Sequence, residues 1–416
     1  MRICVHRLSN GLVLIGESMP WVESAAMAIL MQAGCAYDPI GRDGLAAMTC
    51  EMMQRGCGER DSRQFIEDLE MLGVDISSSV SNAHTSFGGA MPADKLPDAL
   101  QILADLVRRP QLPEEELEDA RQSCLQSVRA IEDDLSSKTM QRLVRRFYPE
   151  PWGRASQGTQ ASVESIAYRD VQNQFRTLFR PNDTILSIAG KIDFDTVKND
   201  VEQLFGDWKP QQAPAVQEQL APRGYEHIAF ESTQTHIGVA FDSVPFSHPE
   251  YYQARAAVGV LSDGMSSRLF TEVREKRALC YTVMASCHSI RQRGAVICYS
   301  GTTTERAQET LDVLVGELQR LAAGITSEEL HRLKARLKSS LIMQQESSSA
   351  RARTMAAEWY HLGRTQTLEE LKAIIDGLNE PTINRYLADH PPREFSYITL
   401  GAQSLTLPTA ASPSVG

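Results

Sequence analysis

Residues 22–55 read VESAAMAILMQAGCAYDPIGRDGLAAMTCEMMQR, and the parsing of this stretch governs the rest of the chain. The apolar run 22–34 is a core strand, YDPIGRDG (37–44) is a Pro- and Gly-bearing turn, and Gly44–Arg55 is helical. Leu45, Met48 and Met52 fall on one face of that helix, because three- and four-residue steps return to the same side. The same order recurs in the second half, where THIGVAFDSVP (235–245) is the strand and 249–261 the helix. A repeat of this kind means one supersecondary plan used twice.

Outward from 22–55, Asn10-Gly11 predicts a hairpin turn near the start, and Asp61 caps a helix SRQFIEDLEMLG that Gly73 ends. Strands are predicted at 74–80 and 84–91, helices at 94–108, 113–147 and 194–206, and a returning strand TILSIAG at 184–190. In the second half CYTVMAS (280–286) and AVICYSGTT (295–303) match the strand pair, helices follow at 305–323, 326–347 and 349–362, and SYITLGA (396–402) returns. The expected fold is α+β, with two homologous domains, each a mostly antiparallel sheet with helices packed on one face. The domains are placed at 1–207 and 225–404, joined by the aperiodic Pro- and Gln-rich linker WKPQQAPAVQEQLAPRG at 208–224. Residues 405–416 read as a disordered tail.

The 416 residues carry 53 acidic and 42 basic side chains, a formal charge of -11, which repels phosphate backbones and argues against a nucleic-acid partner. Arg142, Arg145 and Arg146 are read as a solvated helix face. No apolar run is long enough to span a bilayer, so no membrane partner is expected. The eight cysteines are scattered without a C-x-x-C pair, and the opening residues look like a hairpin rather than a secretory leader, so reduced thiols and a cytoplasmic location are expected. The nine histidines include no two at the spacing that starts a zinc site on one helix turn, and there is neither a G-x-S-x-G nor a phosphate loop.

Six stretches then carry a resemblance. They are LSNG (8–11), AGCAYD (33–38), GLAAMTCEMMQRG (44–56), NAHTS (82–86), RPNDTILSIAGKID (180–193) and LSDGMSSRLFTEVREKRALCY (261–281). Together, over nearly the whole chain, they resemble the pitrilysin/insulinase family of zinc metallopeptidases in its short two-domain bacterial form. Active members carry H-x-x-E-H on the first helix, with two zinc ligands and a general base between them, and a third ligand, a Glu, on a later helix. The matching positions here are Ala47, Cys50 and Glu51, with Ser127 in ARQSCLQS (120–127) at the third-ligand place. The resemblance therefore implies a degenerate metal site with no zinc and no catalytic residue of its own. Cys50 is read as a small half-buried residue, the alternative being a reactive thiol.

In active relatives an Arg and a Tyr seven residues apart reach the substrate backbone. Arg274 and Tyr281 keep that spacing and supply a guanidinium and a phenol for a peptide carbonyl. Some bacterial relatives are built of two different chains closing like a clam shell, one bearing zinc and the other only the Arg/Tyr pair. The resemblance implies the second kind: a substrate-binding subunit with a zinc-bearing partner, or a homodimer, acting on unfolded peptide. The strand around Asn82–Ser86 is expected to offer an edge to that peptide. The alternative is a structural protein on the same fold, like the core subunits of respiratory complexes, with no peptide substrate. A lone peptidase with another metal arrangement is the third reading.

Overall fold

The turn at Asn10-Gly11 folds the chain back as an antiparallel pair, with Arg7 opposite Val13. The computed structural model describes residues 3–408. The strands of the first half are β1 (Ile3–Arg7), β2 (Val13–Ser18), β3 (Ser24–Met31), the two-residue ribbon β4 (Gly56–Cys57) and β5 (Arg60–Asp61), β6 (Asp75–Val80), β7 (Thr85–Pro92) and β8 (Ile185–Gly190). All but the ribbon form one six-stranded sheet in the order β1-β2-β8-β3-β7-β6. In the second half β9 (Tyr225–Ala229), β10 (Gln234–Ser243), β11 (Cys280–Ile290), β12 (Arg293–Thr303) and β13 (Ser396–Gly401) form a five-stranded sheet in the order β11-β12-β10-β13-β9. Each sheet is antiparallel except for one pair, β2 with β8 and β9 with β13.

The helices of the first half are α1 (Leu45–Met53), α2 (Ser62–Met71), α3 (Leu96–Arg108), α4 (Leu117–Asp133), α5 (Leu135–Phe147), α6 (Gln160–Ser165), α7 (Tyr168–Leu178) and α8 (Phe194–Phe205). Those of the second are α9 (Tyr251–Ser262), α10 (Ala307–Arg320), α11 (Ser327–Gln344), α12 (Ser348–Leu362), α13 (Leu368–Gly377) and α14 (Glu380–Asp389). The single helix expected over 113–147 is two, because Asp134 leaves helical geometry and caps α5, accepting from Ser136 N at 3.0 Å. Helices α6, α7, α13 and α14 lie where the sequence suggested no element. Two of them carry start signals all the same: Thr159 and Ser162 form a capping box for α6, and Asn379 caps α14 with a proline in its first turn.

Strand alternation separates two faces of the first sheet. Met27, Ile29, Leu12 and Leu14 join the large core beneath α1 and α3, while Ala26, Ala28, Val13 and Ile15 pack with Ala352, Met355 and Ala356 of α12. The second sheet is arranged likewise: Ile237, Val239 and Phe241 face the core that includes α9 and α10. On the opposite face α5 lies so close that a Cβ on Gly238 would stand 3.2 Å from Leu143 Cδ2. Each sheet thus has its main helical layer on one face and a single helix on the other.

That single helix comes from the other half of the sequence. One compact unit takes the residues up to Ala130, Glu150–Gln219 and Ser340–Leu371, and so contains α12; the other takes Ile131–Pro149, Leu220–Ser339 and the residues from Lys372, and so contains α5. Arg146, read from sequence as solvated, instead ties α5 to β9 by donating to Glu226 at 2.9 Å and to the Tyr225 carbonyl at 3.0 Å. Of the expected disordered tail, residues 405–408 are docked: Leu405 N donates to the Tyr225 hydroxyl at 3.0 Å and Thr406 N to Gln308 at 2.8 Å. The remainder, 409–416, lies outside the described residues. Among the described residues no helix is long and apolar enough to cross a membrane.

Candidate functional site

The two sequence-predicted sites lie in different compact units, one on helices α1 and α4, the other on a turn and a strand of the second half, and each is built by its own local geometry. Helix α1 is set by Asp38, whose carboxylate accepts from Gly44 N at 3.0 Å, Ala46 N at 2.9 Å and the Gln174 side chain at 3.1 Å. This cap fixes the first turn, and hence the positions of Ala47, Cys50 and Glu51 along the helix. Ala47 is half-buried and offers no donor atom. Cys50 is 5% exposed, and burial pushes its thiol up to about 12, against a smaller downward pull from a Ser78 hydrogen bond. The Glu51 carboxylate is held by Arg55 at 2.9 Å, and Arg55 also reaches Glu116 at 3.3 Å. Ser127 is exposed and its hydroxyl donates to the Ser123 carbonyl of its own helix at 3.2 Å.

The residue that α4 buries here is Cys124, one turn before Ser127, its thiol also pushed up to about 12 by burial, with Glu51 adding to the rise. Its spacing of three residues from Ser127 is the signal in the sequence that marks it. These residues do not fit a zinc ion. Ala47 has no donor atom, Ser127 supplies a hydroxyl in place of a carboxylate, and Glu51 is already paired with Arg55. Among the described residues no group of three or more His, Cys, Asp or Glu side chains is placed to hold a metal. Iodoacetamide at pH 7.5 is therefore expected to leave Cys50 unmodified in the native protein and to label it in urea. Labelling of native Cys50 in a peptide map would show the thiol to be open to solvent and its pKa unshifted.

Arg274 and Tyr281 are brought together by two backbone irregularities. Residues Phe270–Glu275 form a π-helical turn, in which Lys276 N donates to the Thr271 carbonyl five residues back at 2.9 Å. Such a turn re-aims side chains relative to an α-helix. Tyr281 is the extra residue of a β-bulge, since Cys280 pairs with Thr302 and Thr282 with Gly301. The result places the Arg274 guanidinium 5.2 Å from the centre of the Tyr281 ring and 4.8 Å from that of Phe270. Of the two acids in the same turn, Glu272 holds Lys276 and Arg277, each at 2.7 Å, and Glu275 forms no ion pair with Arg274 among the described residues. Arg274 consequently has no acidic partner among the described residues, and Tyr281 is 83% exposed. A stacked guanidinium and phenol, both with free donors, can grip a carbonyl or carboxylate oxygen.

The strand around Asn82–Ser86 is not the edge. Thr85 and Ser86 pair on one side with Met31 and Leu30 and on the other with Val80 and Ser79. Asn82 turns inward, donating to the Trp152 and Arg154 carbonyls at 2.7 and 2.9 Å. The two edge strands of that sheet are β1 and β6, and the edge beside β7 is β6, with its small polar run Ser77, Ser78, Ser79.

Comparison with known proteins bears on the whole chain. Residues 13–159 match the family model described as "Insulinase (Peptidase family M16)" and residues 165–337 that described as "Peptidase M16 inactive domain". An uncharacterized zinc protease of Rickettsia bellii (strain RML369-C) is 24% identical over 373 residues, 89% of this chain and 90% of the relative. The crystal structure of a peptidase M16 inactive domain from Pseudomonas fluorescens superposes with a TM-score of 0.88 at 19% identity, covering 98% of this chain and 100% of the other. A chain of complex III2 from Candida albicans does so with a TM-score of 0.81 at 17% identity and 96% coverage of both. The two family models divide most of the sequence between them, and the likeness to solved structures gives the same two-domain fold. The chain belongs to the insulinase family of peptidases, family M16, as a member that lacks the H-x-x-E-H signature.

Proposed function

We propose that this protein is the non-catalytic, substrate-binding subunit of a two-chain zinc peptidase, with the zinc carried by a partner of the same family. The observation that carries this reading is the state of Arg274 and Tyr281. They are stacked, exposed and left without a neutralising acid, while Ala47, Cys50, Glu51 and Ser127 offer no ligand set. An unpaired guanidinium on an exposed phenol is of little use to the fold and of much use to a bound peptide. The free edge β6 supplies backbone groups to which an extended, unfolded peptide adds as a further strand. The complex works in the cytoplasm, where the eight free cysteines stay reduced.

The test is reconstitution. The purified chain alone is expected to cleave no peptide. Mixed with a family member that bears an intact H-x-x-E-H, it should co-elute in gel filtration and raise cleavage of a fluorogenic peptide above that of the partner alone. A partner whose cleavage and peptide affinity are indifferent to the chain would leave the alternative, a structural protein on the same fold.

A further inference from the structure

We propose that the recess between the end of α9 and α11 is a binding site for a small oxyanion of phosphate or carboxylate chemistry, separate from the peptide-binding pair. The recess has a volume of about 380 Å³ and is lined by Asp263, Gly264, Ser266, Ser267, Arg332 and Arg336, together with Glu329 on its wall. That size lies at the low end of the range for small-ligand sites, roughly 300–1,000 Å³.

Its charge balance favours an anion, because both acids that border it are already neutralised from elsewhere. Asp263 is held by Arg255 at 2.8 Å, and Glu329 by Arg268 at 2.7 Å, with Thr326 N adding a further bond at 2.8 Å. What remains is the positive charge of α11. Arg332 and Arg336 are four residues apart and so share a helix face. Arg332 has only Glu328 as partner, whose side chain is 83% exposed, an arrangement that competes weakly with a bound ligand. Arg336 has no ion pair among the described residues.

Two features give the recess a built character. Gly264 has φ +98, and a Cβ there would stand 2.7 Å from Arg336 Nη1, so the guanidinium lies directly against bare backbone. Ser267 is 4% exposed and its hydroxyl has no hydrogen-bond partner in the protein, which costs free energy unless a ligand accepts from it. A guanidinium fork and a hydroxyl donor form the donor set that oxyanions take.

Calorimetric titration of the full chain with inorganic phosphate and with succinate, at constant ionic strength, tests the site. Binding of at least one, weakened about tenfold or more in Arg336→Gln and several-fold in Ser267→Ala, is the expected result, since a charge-assisted contact outweighs a neutral one. Phosphate alone or succinate alone identifies which chemistry the site takes. Gly264→Ala should also weaken binding by displacing Arg336, with circular dichroism confirming that the variants are folded. Failure of both anions to bind at about 20 mM, a concentration where even a millimolar site fills, overturns the proposal. So does binding that Arg336→Gln leaves unchanged. The outcome is independent of whether the chain assists a peptidase partner.

Discussion

Replacing both Arg274 and Tyr281 by alanine is expected to lower the peptide turnover of the reconstituted complex by about ten- to a thousandfold, the range seen when preorganised polar contacts to a reacting carbonyl are removed. The fold should be unaffected, because neither side chain is buried or ion-paired and their mutual stacking at the surface contributes only about 0.5–1 kcal/mol. Single substitutions divide the effect. Tyr281→Phe keeps the ring beneath the guanidinium and removes only the hydroxyl, so a fall in kcat/KM there measures the phenol as a donor. Arg274→Lys keeps the charge but loses the planar fork and the stacking, and should fall between wild type and alanine. Turnover that stays at the wild-type level in the double variant, with thermal unfolding also unchanged, would assign the pair no part in catalysis and favour a purely structural protein.

The second large effect concerns stability. Glu17 on β2 and Arg351 on α12 form an ion pair at 2.6 Å, with side chains only 3% and 8% exposed. A second carboxylate, Glu358, is buried on the same helix, raised above the ordinary range mainly by that burial, with Arg351 pulling it down and Glu17 pushing it up. Arg351→Ala leaves Glu17 without its cation in the layer where α12 covers the first sheet, and leaves Glu358 with only Arg364 and the Gln366 N–H to offset its burial. A loss of about 3–5 kcal/mol is expected, because a buried charge stripped of its partner keeps its desolvation cost. Glu17→Leu combined with Arg351→Met should cost much less, since the pair is then replaced by apolar volume. Urea unfolding of the singles and the double measures the difference.

The pH dependence of that variant has a definite sign. A carboxyl raised in the folded state holds its proton where the unfolded chain has released it, so the native state binds more protons and stability falls as pH rises. The part of the Arg351→Ala penalty that comes from Glu358 should therefore be smallest below the usual glutamate value of about 4.3 and grow above it. Equal urea midpoints at pH 5 and pH 8 would show that Glu358 is solvated rather than trapped.

Several features were legible in the residues themselves. The repeat of strand, helix and returning strand follows from hydrophobic period alone, and the structure places β3 and α1 within a few residues of the expected spans. The absence of a ligand set needed no coordinates either, since Ala47 has no donor atom in any conformation and Ser127 no carboxylate. The seven-residue spacing of Arg274 and Tyr281 was equally plain.

Other features are decided only where distant segments meet. An apolar stripe says that α5 and α12 must be covered, not by which sheet, and each proves to lie on the sheet of the opposite half. Alternation marks Asn82–Ser86 as extended but cannot rank strands within a sheet, and the strand beside it, β6, proves to be the edge on that side. Spacing alone also could not say that a π turn and a bulge would stack the guanidinium on the phenol, nor that Glu272 would spend its charge on Lys276 and Arg277. What the sequence determined by itself was the set of elements and the donor atoms present, because period and side-chain chemistry are local. What tertiary structure decided was which donors stay unpaired, because pairing depends on neighbours far away along the chain.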